Sequence, residues 1–396
     1  MTAARPPLRP WRFVVAFGVV SLLADFVYEG ARSVTGPLLG SLGGSAVVIG
    51  VVTGAGDAAA LGLRLVSGPL ADRTRRFWTL TIAGYLLTVV SVPPLGVVGT
   101  LWAASVLVVA ERVGKAVRSP AKDTLLSHAT AATGRGRGFA VAQALDQTGA
   151  LIGPLTVAGV LAATGGDYAP ALLVLAAPGA AVVAVLLWLR ARVPNPAAYE
   201  PVAPAPSAPA AAPLPRAFWL YAAFTGVTTC GLATFGVLSY HLVHRHLLPV
   251  AAVPVLYAGV MLADALSALA VGWAYDRIGA RALVALPLLT AAVPALAFRD
   301  TVAMAVGGAV AWGAALGVQE STLLAAVADL VPAARRATAY GVFAGVLGAA
   351  TLVGGALTGA LYGYSVPVLV ITVAATQAAA LVLLAVARRS GRMAGC

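Results

Sequence analysis

Long apolar runs, each about the length of a membrane-crossing helix, alternate with short polar breaks along nearly the whole chain. A helix needs roughly 20 apolar residues to cross a hydrocarbon core of about 30 Å. Runs of that kind fall at 13–38, 46–70, 78–97, 99–118, 138–163, 169–190, 217–241, 252–274, 282–298, 302–328, 339–363 and 366–387. The pattern predicts an all-α integral membrane protein with twelve transmembrane helices. Between the sixth and seventh runs the character changes, with Pro194, Pro196, Pro201, Pro204, Pro206, Pro209, Pro213 and Pro215 set among alanines. Such a segment is extended and solvated. The expected organisation is therefore a six-helix bundle over 1–192, a cytoplasmic Pro/Ala-rich linker over 193–215 and a second six-helix bundle over 216–396.

Composition sharpens this picture. The chain is 60% hydrophobic and 10% charged, whereas a soluble domain carries roughly 25% charged residues, so lipid must be its solvent. A net charge of +12 would suit a polyanion, but its placement points elsewhere. With the N-terminus inside, twenty of the 26 Lys and Arg residues fall on the cytoplasmic side, Arg118 and Lys122 among them, and only Arg245 and Arg299 fall on the other. That asymmetry is a topology signal. It implies a multi-pass protein of the inner (plasma) membrane with both termini cytoplasmic, and no nucleic-acid partner. The run after Arg5, Arg9 and Arg12 reads as a retained first helix, because Asp25 and Glu29 interrupt it and no small-residue cleavage site follows. Cys230, inside the seventh run, and Cys396, the last residue, imply no disulfide.

One polar pattern occurs twice: Gly68-Pro-Leu-Ala-Asp72-Arg73-Thr-Arg75-Arg76, and later Gly272-Trp-Ala-Tyr-Asp276-Arg277-Ile-Gly279-Ala-Arg281. Each copy separates the second and third apolar runs of its half, which indicates a duplicated bundle. On these residues, the twelve runs and the central linker, the chain resembles the major facilitator superfamily of secondary transporters, and the resemblance covers nearly its whole length. It implies two pseudo-symmetric six-helix bundles that rock about a central cavity, a small-molecule substrate, no cofactor and a monomer. It also implies a conformational latch at Gly68, Asp72, Arg73, Arg76, Gly272, Asp276, Arg277 and Arg281, where Asp and Arg bridge helix ends. More narrowly, Asp25-Phe-Val-Tyr28-Glu29-Gly-Ala-Arg32, Glu111-Arg112-Val-Gly-Lys115, Leu145-Asp146-Gln147 and Gln319-Glu320-Ser321 resemble a bacterial branch whose substrates are largely unassigned. The family's antiporter signature is matched in its first part by Gly149-Ala-Leu-Ile-Gly153-Pro154 and lacks the glycine pair that should follow.

The candidate chemistry lies in charges inside the runs. Seven acids (Asp25, Glu29, Asp57, Glu111, Asp146, Asp264 and Glu320) accompany only Arg32, Arg64, Arg112 and Lys115. A charge at bilayer depth costs at least a few kcal/mol on insertion scales, which makes each a functional candidate. The excess of acid predicts carboxyls that hold a proton, and hence proton or cation coupling. Asp25, Glu29 and Arg32 share one helix face, as do Glu111 and Lys115, and the resemblance places both faces on the central cavity. Asp25, Glu29, Arg32, Glu111, Arg112 and Lys115 are accordingly the candidate proton-coupling set, with Glu29 as carrier; a static salt-bridge network fits the same spacing. Tyr28, Asp146, Gln147, Tyr240, Asp264, Gln319 and Glu320 are the candidate substrate contacts.

Other motifs read as structural. The Gly-x-Gly within 50–56 lies inside an apolar run, where small residues serve helix packing, and no phosphate-binding loop occurs. His241, His244 and His246 lie at a loop edge without a nearby carboxylate, so no metal is expected. The function expected is a proton-coupled secondary transporter of a small organic molecule, working by alternating access, and not an enzyme. Efflux by antiport is the first reading, uptake by symport the alternative, and a non-transporting membrane receptor the third.

Overall fold

The computed structural model describes residues 8–133, 135–199, 214–331 and 336–389. Arg5, Cys396 and the linker prolines 201, 204, 206, 209 and 213 lie outside the described residues. Among the described residues there is no strand. The first nine helices are α1 (Pro10–Arg32), α2 (Thr35–Ser41), α3 (Ala46–Gly62), α4 (Arg64–Thr74), α5 (Phe77–Ser91), α6 (Leu101–Thr133), α7 (Arg135–Ala163), α8 (Tyr168–Leu173) and α9 (Ala176–Arg192). After the linker come α10 (Arg216–Cys230), α11 (Phe235–His244), α12 (Ala252–Ile278), α13 (Ala285–Ala297), α14 (Val302–Leu330), α15 (Arg336–Tyr364) and α16 (Val366–Arg389).

Ten described stretches are long and apolar enough to cross a membrane. One of them, Ala252–Ala297, contains both α12 and α13. Helix α6 is absent from the ten because Glu111, Arg112, Lys115, Arg118, Lys122 and Asp123 interrupt its apolar sequence. With α6, and with Ala252–Ala297 counted twice, the twelve expected spans are all present. Four of them are divided in two, at Ser33–Val34, Leu63, Val174–Leu175 and Gly231–Thr234.

Two compact units result, one of Met1–Arg32 with Leu63–Pro206 and the other of Ser33–Gly62 with Ser207–Cys396. Helices α2 and α3 thus pack with elements that follow the linker.

In the first unit α1 lies against α6, α7 and α9 over a core that includes Phe13, Phe17, Trp78, Leu125, Leu186 and Leu189. The approach of α7 to α1 depends on glycine. A Cβ at Gly149 or Gly153 would stand 2.0 Å from the Leu22 carbonyl oxygen or 2.2 Å from that of Phe26, closer than any side chain allows. Helix α6 runs on through Pro120, which has no N–H for the carbonyl of Ala116. Ser67 of α4 supplies the missing donor, its hydroxyl reaching Ala116 O at 2.8 Å.

In the second unit α3 lies on α15 with backbones nearly touching, since a Cβ at Gly50 would be 2.1 Å from Gly355 O. Close approach through small residues is how helices associate where lipid offers no hydrophobic drive. The gap between α10 and α11 frees backbone carbonyls that side chains then satisfy. Trp312 Nε1 donates to Ala233 O at 2.6 Å and Gln377 Nε2 to Thr228 O at 3.2 Å. Across from the gap, Thr53 of α3 meets Thr234, with 2.8 Å between their hydroxyl oxygens.

Candidate functional site

Most of the charge inside the first unit converges on one stripe of α6. Glu111, Lys115, Arg118 and Lys122 follow one another at i, i+4, i+7 and i+11, a spacing that keeps them on one helix face. That face meets α1 and α7. Arg112 Nε lies 3.4 Å from Glu111, Lys122 Nζ 3.8 Å from Asp146 of α7, and Arg32 Nη1 3.7 Å from Glu29 within α1. Lys122 also donates to Ser21 Oγ at 3.3 Å. Asp25, Glu29, Glu111, Arg112 and Arg118 are all buried. Burial on this scale is tolerated only where charges are paired or hydrogen-bonded.

Two aromatic rings complete the cluster. The Tyr28 ring has Lys115 Nζ 3.8 Å from its centre, Arg112 Cζ at 4.4 Å and Arg32 Cζ at 6.0 Å. Arg118 lies over Tyr85, 4.3 Å from the ring centre. Each such contact is worth about 0.5 to 2 kcal/mol, more as water is excluded. All six expected proton-coupling residues therefore meet in this one place, joined by Tyr28 and Asp146.

Sequence reasoning missed two members of the cluster. Arg118 and Lys122 were expected on the cytoplasmic fringe because the fourth apolar run ends at 118, but α6 continues to Thr133 and turns both inward. Arg118 is only 2% exposed. The i, i+4, i+7, i+11 spacing was the available signal. With them, five bases face four acids in this cluster, and Glu29, Glu111 and Asp146 each have a base within 4 Å. Within this cluster acid is therefore not in excess.

The remaining candidates are dispersed. Gln147 is half-buried on α7. Tyr240 stacks on His244, with ring centres 4.8 Å apart, and meets Tyr362 edge-on at 6.3 Å. His241 Nδ1 is 2.9 Å from the Tyr362 hydroxyl and its Nε2 is 3.3 Å from Arg299 O, so both ring nitrogens are engaged. Asp264 is buried on α12 beside Gly317 of α14. Gln319 is half-buried, its Oε1 without a hydrogen bond among the described residues, and Glu320 beside it is exposed. No contact among the described residues joins Tyr240 to Gln319 or Glu320.

The two repeated motifs close α4 and α12. Asp72, Arg73, Arg76, Asp276 and Arg281 are exposed, and neither Asp forms an ion pair among the described residues. Arg277 instead lies on Trp273, 3.6 Å from the ring. Gly68 and Gly272 have no close neighbour, the nearest atom to a Cβ at Gly68 being 4.0 Å away on Pro120.

Twelve spans with a buried charge cluster make a polytopic membrane protein, the class to which carriers of polar solutes belong. The sequence pattern of the Major Facilitator Superfamily matches residues 17–260 and 235–394. The chain belongs to the Major Facilitator Superfamily and is a secondary transporter of that kind. It is 63% identical over 385 residues to an uncharacterized protein of Mycobacterium tuberculosis, covering 96% of this chain and 94% of that one. An uncharacterized MFS-type transporter of Methanocaldococcus jannaschii is 29% identical over 140 residues, 35% of each chain. Among solved structures, the nucleoside transporter NupG shares the fold with a TM-score of 0.73 at 15% identity, over 95% of this chain and 98 to 99% of that one in two structures, the second of them at 0.72. A peptide transporter POT in complex with sulfate superposes with a TM-score of 0.76 at 15% identity, over 99% of this chain and 98% of that one.

Proposed function

We propose that this protein is a proton-coupled secondary transporter of a small organic molecule, that it works by alternating access, and that the coupling resides in the α1–α6–α7 cluster. The observation that carries this reading is the gathering of the buried acids Asp25, Glu29 and Glu111 with Arg32 3.7 Å from Glu29, Arg112 3.4 Å from Glu111 and Lys122 3.8 Å from Asp146. A base beside a carboxyl offsets the negative charge that appears when a proton leaves it. A site that can gain or lose a single proton inside an apolar bundle is what coupling requires. Glu29, 3.7 Å from Arg32, is the proposed proton carrier, with Asp25, Glu111, Arg112 and Lys115 as the rest of the coupling set.

Tyr28, Asp146, Gln147, Tyr240, Asp264, Gln319 and Glu320 are the proposed solute contacts. Asp72 and Asp276, with Arg73, Arg76, Arg277 and Arg281, would act as the latch between conformations, between six-helix halves bounded by the linker at 193–215. Export against protons is the first reading, on the Gly149–Pro154 half-signature. A second reading, symport of an anionic solute, is favoured by the five bases that face four acids in the cluster. Under either reading the proposed location is the plasma membrane with both termini cytoplasmic, on the asymmetry of basic residues.

The test is proton movement in proteoliposomes loaded with a pH-sensitive dye, under an imposed pH gradient, as cationic and anionic solutes are added in turn. Solute-dependent dissipation that is lost in Glu29→Gln, while solute exchange without a gradient persists, is the expected result. Full gradient-driven flux in Glu29→Gln, at normal expression, would remove Glu29 from the coupling mechanism. Dissipation by anions would select symport and dissipation by cations would select exchange.

A further inference from the structure

Away from the buried cluster, a cavity of about 780 Å³ opens at the end of the first unit, where α4 turns into α5 and α6 and α9 approach their C-termini. Its polar lining is weighted toward donors. Arg75, Arg76 and Arg190 face it, and none has a carboxylate within ion-pair distance among the described residues. Trp78 also lines it, 8% exposed, with an indole N–H that has no acceptor among the described residues. No acidic side chain is part of the lining. Leu125 and Leu187 supply an apolar wall.

Three unpaired guanidinium groups beside an unsatisfied indole donor call for a polyoxygen anion, since arginine forks match phosphate geometry. The apolar wall and the position at a membrane-helix end call for that anion to carry hydrocarbon. The cavity also lies at the end of the chain's helices where basic residues gather, which the positive-inside rule makes cytoplasmic. Basic pockets between helices on that face receive the headgroups of anionic lipids. We propose that this cavity binds the phosphodiester headgroup of an anionic phospholipid from the cytoplasmic leaflet. Arg75, Arg76 and Arg190 hold the phosphate, Trp78 donates to a headgroup oxygen, and the acyl chains run along Leu125 and Leu187. The site stands independently of whether the buried cluster carries protons.

The test uses the full-length protein in neutral detergent, with native mass spectrometry and thermal unfolding. Phosphatidylglycerol, phosphatidylcholine and inorganic phosphate are added separately to the wild type and to Arg75→Asn/Arg190→Gln. Asn is chosen because Arg75 has φ of 52°, a conformation Asn tolerates. Phosphatidylglycerol is expected to stay bound and raise the melting temperature, and the double variant is expected to lose at least half of that rise. Equal effects of phosphatidylcholine, or an undiminished rise in the variant, would overturn the proposal. An equal rise with inorganic phosphate would reassign the cavity to a free anion. If the double variant unfolds without lipid, retained phosphatidylglycerol is counted in Arg190→Gln alone, where an unchanged count overturns the proposal and a reduced one supports it.

Discussion

The Ser67 hydroxyl donates to the carbonyl oxygen of Ala116, 2.8 Å away, on the one turn of α6 where Pro120 cannot. Proline inside a helix removes one backbone donor and normally kinks or breaks the rod. Here a neighbouring helix restores the bond and α6 continues for three further turns. Ser67→Ala should therefore cost about 1 to 3 kcal/mol, the range for leaving a buried polar group unsatisfied. Pro120→Ala returns the backbone donor, so the double variant should lose less than the two single losses combined. Thermal unfolding of the four proteins in detergent measures this coupling.

The α3–α15 seam makes a contrasting pair of predictions. A side chain at Gly50 would collide with the carbonyl of Gly355 at 2.1 Å, and backbone cannot turn aside as a side chain can. Gly50→Val is expected to destabilise by about 1 to 3 kcal/mol, the usual range for overpacking. Gly259, in the middle of α12, has nothing within 4 Å of its Cβ position. Gly259→Ala should stabilise by roughly 0.5 to 1 kcal/mol through helix propensity. Opposite shifts in melting temperature are the expected outcome.

The Tyr28 ring can be tested without touching any charge. With Lys115 and Arg112 at 3.8 and 4.4 Å, Tyr28→Leu should lose about 1 to 2 kcal/mol of cation–ring attraction, whereas Tyr28→Phe keeps the ring face and should lose far less. A fall in thermal stability of equal size in both variants would show that the hydroxyl, and not the ring, matters.

Outside the membrane, Arg245 donates through Nε and Nη2 to Asp300 Oδ1, at 3.0 and 2.7 Å. These bonds hold the Asp300 carboxyl below its ordinary range. A carboxyl depressed in the folded state adds stability that is complete above its unfolded pKa and disappears as the pH falls through the folded value. Asp300→Asn should accordingly melt slightly below the wild type near neutral pH, and the gap should close as the pH drops below about 4. Both side chains are exposed, so raised salt should shrink the gap as well.

How much of this was legible in the chain differs from element to element. The apolar runs located every span, because membrane-crossing helices must be long and continuous in hydropathy. They did not locate the breaks at Leu63 or Gly231–Thr234, where the chain stays apolar and tertiary partners such as Trp312, Gln377 and Thr53 replace the helical bonds. The cluster of Asp25, Glu29, Arg32, Glu111, Arg112 and Lys115 was readable from charge inside apolar sequence. Arg118 and Lys122 were not, because a basic residue at the end of an apolar run looks the same whether it faces cytosol or turns inward. The donor from Ser67, which replaces the bond Pro120 cannot make, lies 49 residues distant in sequence. The pairing of Tyr240 with His244 and Tyr362, and not with Gln319, depends on long-range packing that no local pattern encodes.

The crowded charge of α6 also bears on how the protein enters its membrane. Each Asp, Lys or Arg at the centre of a helix resists insertion by roughly 2.5 to 3.5 kcal/mol, and Leu101–Thr133 carries six charged residues. By itself α6 is expected to insert poorly. It follows α1 in the chain, whose Tyr28 lies against Lys115 in the folded protein, and precedes α7, which brings Asp146. Helix α1 is thus the expected insertion partner of α6, and a chain deprived of it should leave its fourth span outside the bilayer even though every later segment is intact.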